Sequence, residues 1–291
     1  MDVVARGASV RGPRGAVFEN LDLGVDPGGL LVLHGPAGSG RTTALLALAG
    51  RMRLDGGAVQ VGGHVLPRDG RRVRELVAVA RAEPALGLDP DLRVRELVAE
   101  RRWSSRRLSG AQVDEAFAVL GVEVDRRTLV RDLPPVEALG VALALALATR
   151  PAVVVVDDVD RGCPAEERTR AWQLVGRVRG VGCTVVAGAL DPPGSGAGLD
   201  PAPVLVALPR LSSLPERSAT EGGADERAGA AEREGAAERE GAAEQEGAAE
   251  AGASARRPWR ARVRRLLAQR LLGRRGPDGG RVGAPRGGED A

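Results

Sequence analysis

The chain has 291 residues, 43% of them hydrophobic and 28% charged, with two Cys and two His. That length allows about two domains, while so few Cys and His exclude a disulfide framework and a histidine-rich metal site. The formal net charge of +3 conceals a strong division of sign along the chain.

All 42 basic residues are Arg, and Lys, Ile and Tyr are missing. Aromatic residues are 2%, so any core is aliphatic. An Arg standing where chemistry usually uses Lys is therefore read first against a biased composition. No apolar run reaches the roughly 18 residues of a membrane span, and no leader-like segment opens the chain. A cytoplasmic location is the expectation.

Residues 30–33 are an apolar run of strand formers that ends in a glycine-rich loop. The loop reads Gly35-Pro36-Ala37-Gly38-Ser39-Gly40-Arg41-Thr42-Thr43, and residues 44–49 continue it as a helix. This is the strand–loop–helix context of G-x-x-x-x-G-K-[ST], with Gly35 and Gly40 on the two glycine positions. Glycines let successive main-chain N–H groups turn toward phosphate oxygens, and the helix start adds positive potential. Thr42 is placed to hold Mg²⁺ through its hydroxyl. Arg41 replaces the Lys; it keeps the charge but presents a bulkier planar fork.

Residues 93–102, 112–120 and 136–148 carry helical periodicity, the last too short to span a bilayer. Val153 to Val156 are four consecutive valines, the pattern of a parallel strand buried on both faces. Asp157 and Asp158 follow at the strand's end, where one carboxylate can hold Mg²⁺ and the next can orient water. Residues 184–186 and 204–208 read as further strands. Strands alternating with helices predict an α/β domain over residues 1–210 with a mostly parallel sheet. His34, His64, Cys163 and Cys183 read as structural.

The texture then changes. From Gly229 a six-residue unit repeats as GAAERE, GAAERE, GAAEQE and GAAEAG, and residues 221–250 hold ten acidic residues against three Arg. Residues 211–255 are expected to be an acidic low-complexity linker. Residues 256–275 hold nine Arg and no acid, with Trp259, Val263, Leu266, Leu267 and Leu271 at helical spacing. Two readings stand for this amphipathic helix: contact with an anionic membrane surface or a membrane partner, or packing on its own domain. Its leucine stripe argues against nucleic acid. Residues 276–291 are Gly-rich and expected to be disordered.

The glycine loop and the Val-Val-Val-Val-Asp157-Asp158 strand together resemble the Walker A and Walker B elements of an ABC transporter nucleotide-binding domain, a P-loop NTPase. The resemblance extends to the opening stretch from Val4 to Leu23, which is similar to that family's antiparallel β-subdomain, and to Leu147-Ala148-Thr149-Arg150-Pro151 before the second strand. It implies a helical subdomain near residues 88–150. It also implies ATP and Mg²⁺ as ligands, with Gly35, Pro36, Ala37, Gly38, Ser39, Gly40, Arg41, Thr42 and Thr43 around the phosphates. Thr42 and Asp157 would hold the cation, and Asp158 would be the catalytic base.

By resemblance the chain pairs with a second nucleotide-binding domain, as a homodimer or heterodimer. It would couple ATP binding to a separate permease at the inner face of the cell membrane.

Several family positions depart from the pattern. At the signature position the chain reads Leu133-Pro134-Pro135-Val136-Glu137. Leu108-Ser109-Gly110-Ala111-Gln112 looks like that signature but lies too far upstream, and Ser109 with Gln112 reads as a helix capping box. Arg81 stands where a glutamine is expected, Asp158 is one methylene shorter than the usual Glu, and Ala189-Leu190-Asp191 lacks the switch His. No aromatic stands near Arg11 and Gly12 to stack on adenine, and Phe18 reads as core. These losses imply weakened nucleotide binding and more strongly weakened hydrolysis. The alternative is a degenerate, non-hydrolysing cassette that serves as a scaffold or regulator.

Overall fold

The computed structural model describes residues 1–105 and 108–210. The acidic linker, the 256–275 helix and the Gly-rich end lie outside the described residues.

The chain opens with β1 (Val3–Gly12) and β2 (Gly15–Val25), an antiparallel pair running from Val3 opposite Val25 to Gly12 opposite Gly15. It continues through β3 (Leu30–His34), α1 (Arg41–Leu48), β4 (Gly56–Val61), β5 (His64–Leu66), α2 (Gly70–Leu76) and β6 (Val77–Arg81). A helical stretch follows, α3 (Val94–Ser104), α4 (Gly110–Leu120) and α5 (Pro135–Ala148). Then come β7 (Val153–Val156), α6 (Ala165–Gly180), β8 (Thr184–Ala189) and β9 (Val204–Ala207).

Two sheets result. One is antiparallel in the order β2-β1-β4-β5, and the other is parallel in the order β6-β7-β8-β3-β9. The fold is the expected α/β architecture, with the antiparallel subdomain and a helical layer added to it.

Burial on both faces explains the apolar runs of the parallel sheet. On β3, Leu30 and Val32 face a core built with α3 to α6, whereas Leu31 and Leu33 face a second core built with α1 and the antiparallel sheet. Val154 and Val156 divide from Val153 and Val155 in the same way. A strand with two buried faces cannot alternate apolar with polar residues.

Helix α5 packs among α4, α6 and β6, and it is buried on nearly every side from Leu139 to Ala148. Such all-round apolarity marks a helix enclosed by its own domain.

Local signals set the helix ends. Ser109 caps α4: its hydroxyl accepts from the Gln112 amide at 3.3 Å, and the Gln112 side chain accepts from the Ser109 amide at 3.0 Å. The signature look-alike is thus a capping box, as expected. Gly121 closes the same helix at φ 67°.

The sequence pattern does not disclose helix α6. Its Glu166, Glu167, Arg177 and Arg179 make the segment read as polar, yet Ala171, Trp172, Leu174, Val175 and Val178 bury one stripe. The charges sit at the ends that suit the helix dipole. Helix α1 starts three residues earlier than expected, at Arg41, and β8 runs three residues further, to Ala189.

Candidate functional site

Parallel strands present their carboxyl ends at one edge of a sheet, where α/β proteins place ligands. The loop after β3 and the acidic pair after β7 both lie at that edge, with only β8 between their strands. The two elements thus leave neighbouring parts of one sheet edge.

The loop needs its glycines for space as well as for dihedral angles. Gly35 has φ 151°, and a Cβ there would collide with the carbonyl oxygen of Leu208. Gly40 has φ 88°, and a Cβ there would stand 2.7 Å from the Val17 carbonyl oxygen. Larger residues would push the loop off both neighbours.

Gly40 ends the loop as the residue before α1, with its carbonyl accepting from the Ala44 amide at 2.9 Å. Among the described residues, the amides of Gly38, Gly40, Arg41 and Thr42 have no protein acceptor. These are the orphan donors of a helix start. The Ser39 hydroxyl is buried inside the loop with no hydrogen-bond partner.

Thr42 and Asp157 meet directly: the Thr42 hydroxyl donates to Oδ2 of Asp157. Oδ1 of Asp157 accepts from the Asp158 amide at 2.8 Å. This contact depends on Gly188 in the intervening strand, where a Cβ would collide with Oδ1 of Asp157 and stand 2.9 Å from Leu45 Cδ1.

Sequence reasoning missed Gly188. The available signal was a lone glycine inside the β-rich run of residues 184–189, which marks close approach by another group. Gly188→Ala is expected to destabilise the fold by about 1–3 kcal/mol through overpacking and to part Thr42 from Asp157. A lowered melting temperature with secondary structure retained is the result to look for.

Burial raises the Asp157 carboxyl above its ordinary value, and the neighbouring Asp158 charge adds to the rise, opposed by the Thr42 hydrogen bond. Asp157 is 2% exposed, so losing water outweighs its hydrogen bonds.

Arg41 is turned into the protein. Its guanidinium donates to the Gly35 carbonyl, to the Pro36 carbonyl at 3.1 Å, and to Oδ1 of Asp158 at 2.9 Å. The side chain of Arg41 is 8% exposed and that of Asp158 31%. Asp158 itself adopts φ 46°, a left-handed conformation that a short polar side chain tolerates.

Arg81, at the end of β6, fastens the same turn from the other side. Its Nε donates to the Asp157 carbonyl at 3.2 Å and its Nη2 to the Asp158 carbonyl. The acidic pair is thus gripped by two arginines, one at a side chain and one at the main chain. The grip of Arg81 on both carbonyls is a second feature that residue types alone do not disclose.

The remaining positions fall as follows. Leu133 precedes α5, Pro134 caps it and Pro135 is its first residue. Two consecutive prolines remove two amide donors from that helix start. At the end of β8, the Leu190 carbonyl accepts from the Gly35 amide at 3.2 Å. Phe18 is buried, whereas Arg11 is exposed and pairs with Glu19 at 3.4 Å.

Among the described residues no helix is long and apolar enough to cross a membrane. No group of three or more His, Cys, Asp or Glu side chains is placed to hold a metal among them either. A cation beside Thr42 and Asp157 would therefore take its other oxygens from phosphate or water. That is how Mg²⁺ is usually held.

Comparisons with known proteins bear on the fold and the family. The family model described as "ABC transporter" matches residues 18–160. The zinc import ATP-binding protein ZnuC of Ruegeria sp. is 28% identical over 186 residues, covering 63% of this chain and 69% of that protein. The ribose import ATP-binding protein RbsA 1 of Burkholderia cenocepacia is 28% identical over 192 residues, covering 62% of this chain. The chain spans only 37% of that second relative's length. Among solved structures, a dimeric bacterial ABC transporter cassette superposes with a TM-score of 0.58 at 18% identity, covering 72% of this chain and 94% of that one.

Proposed function

The chain carries a nucleotide-binding domain of the ABC transporter family, and from that premise we propose that it is the ATP-binding subunit of a transport system whose permease is a separate chain. The observation that carries this reading is the junction of Thr42 with Asp157 across Gly188, beside a loop whose amides lack acceptors. Gly35 to Thr43 would surround the phosphates, with main-chain donors from Gly38, Gly40, Arg41 and Thr42. Thr42 and Asp157 would hold Mg²⁺.

When bound, Mg²⁺ and the loop neutralise charge on the β- and γ-phosphates. Pairing with a second such domain, and a place at the inner membrane face beside the permease, belong to the same proposal. The relatives named above carry different cargoes in their names, zinc and ribose. The proposal therefore stops at the class of system.

A second reading, a cassette that binds nucleotide and hydrolyses it poorly, is favoured by a specific contact. Asp158, the residue in the position of the base, is ion-paired with Arg41. By resemblance the signature position at the start of α5 would meet a γ-phosphate across a dimer, and the two prolines there leave that helix start short of amide donors.

Phosphate release by the full chain with saturating MgATP is expected to fall well below the about 10 s⁻¹ typical of enzymes. Asp158→Asn should lower what remains by about 100-fold or more, as loss of a general base does. Turnover at an ordinary rate would reject the second reading. ATP failing to bind at millimolar concentration would reject both.

A further inference from the structure

The sheet order places β9 on the far side of β3 from the acidic pair. The two strands run parallel, with Leu31 opposite Val204 and His34 opposite Ala207. The chain leaving β9 is therefore level with the loop leaving β3. The Leu208 amide donates to the His34 carbonyl at 2.7 Å, and the Leu208 carbonyl is the group that forbids a side chain at Gly35.

Two residues later, Arg210 lies along the loop. A Cβ on Gly38 would stand 3.6 Å from its Nε and 3.8 Å from its Nη2. Arg210 is exposed, and no carboxylate among the described residues pairs with it.

The loop thus has two guanidinium groups with opposite commitments. Arg41, which occupies the template's Lys position, gives its terminal nitrogens Nη1 and Nη2 to Gly35, Pro36 and Asp158, while its Nε is buried without a partner. Arg210 is exposed and lies against Gly38, whose amide has no protein acceptor. The Ser39 hydroxyl, 1% exposed and without a partner, lies 3.4 Å from where a Gly35 Cβ would stand, and so faces the inside of the same loop. A buried hydroxyl of this kind lacks a hydrogen-bonding group that a ligand oxygen would supply.

Resting on the nucleotide reading above, we propose that Arg210 is a phosphate-binding residue and supplies the side-chain cation that Arg41 does not. Its fork suits two oxygens of a phosphate group at once. The edge strand β9 would then serve the site by delivering this residue, beyond its part in the sheet.

The test titrates the full chain with ATP and with inorganic tripolyphosphate, comparing the unaltered chain with Arg210→Ala and Arg210→Lys. A charge-assisted hydrogen bond at a partly solvated site corresponds to a loss of about tenfold. Arg210→Ala is expected to lose that factor for both probes, and Arg210→Lys to recover part of it. The melting temperature should be unchanged, because the side chain is exposed. Equal affinities of Arg210→Ala and the unaltered chain overturn the assignment and leave the nucleotide reading intact. A loss for ATP with none for tripolyphosphate also overturns it, since the contact would then be to the nucleoside. Binding of neither probe by the unaltered chain overturns the nucleotide reading and this assignment with it.

Discussion

Asp157→Asn is expected to abolish the Mg²⁺ dependence of ATP binding while raising the stability of the fold. The two effects have opposite signs because they draw on the same buried charge. Asp157 brings a carboxylate to a place with little water, and that burial holds its pKa above the ordinary value of 3.8.

A carboxyl raised in the folded state binds more protons there than in the unfolded chain over the interval between the two values. Its contribution to stability is therefore most favourable at low pH. It falls as pH rises through the interval and stays low above it. Asparagine carries no charge, so it removes this penalty and keeps an oxygen to accept from the Asp158 amide. Asparagine is also a poor Mg²⁺ partner beside Thr42.

Losing an outer-shell partner typically weakens metal affinity 10- to 100-fold, so losing Asp157 itself should reach about 100-fold. ATP titrations with and without Mg²⁺, paired with thermal melts, read both effects. A variant that keeps its response to Mg²⁺ would show that Asp157 is not the cation's holder, and one that melts lower would show that burying its charge does not cost the fold stability. In the unaltered chain the Mg²⁺ response should fade on acidification at a pH above that of an ordinary carboxylate.

The second large effect is expected far from the site. Leu143→Ala in the middle of α5 should destabilise the fold by about 2–5 kcal/mol, from the lost apolar transfer and the cavity left behind. Leu143 is 0% exposed, and α5 packs among α4, α6 and β6, so the neighbours have little room to close in. For a fold of about this size 1 kcal/mol corresponds to roughly 2–4 °C, which gives a melting temperature lower by about 4–20 °C. A shift of only a degree or two would mean that the site collapses and that α5 is not the fixed centre of the helical layer.

The parts of the site that could be read from residue types were those whose chemistry is local. Gly35 to Thr43 announce a phosphate loop because backbone space and a helix start are properties of neighbouring residues. Val153 to Asp158 announce a buried strand ending in charge for the same reason. The capping box at Ser109 and Gln112 was legible on the same terms. What stayed hidden depends on contacts between distant segments. Gly188 matters because Asp157 crosses over it, and Arg81 because its length reaches two carbonyls of the acidic turn after β7. Arg41 was legible as a cation at the loop, but not as one turned inward to Asp158. Helix α6 was obscured because its apolar stripe is interrupted by charges that belong to its ends and its outer face.

The parallel sheet also acts as a partition. Leu31 and Val32 are consecutive in the chain, yet they answer to different neighbours on opposite sides of it. A change of volume on one side reaches the other only by bending the strands themselves. Those same strands end at Gly35 and Asp157, so the alignment of the phosphate loop with the acidic turn reports on both interiors at once.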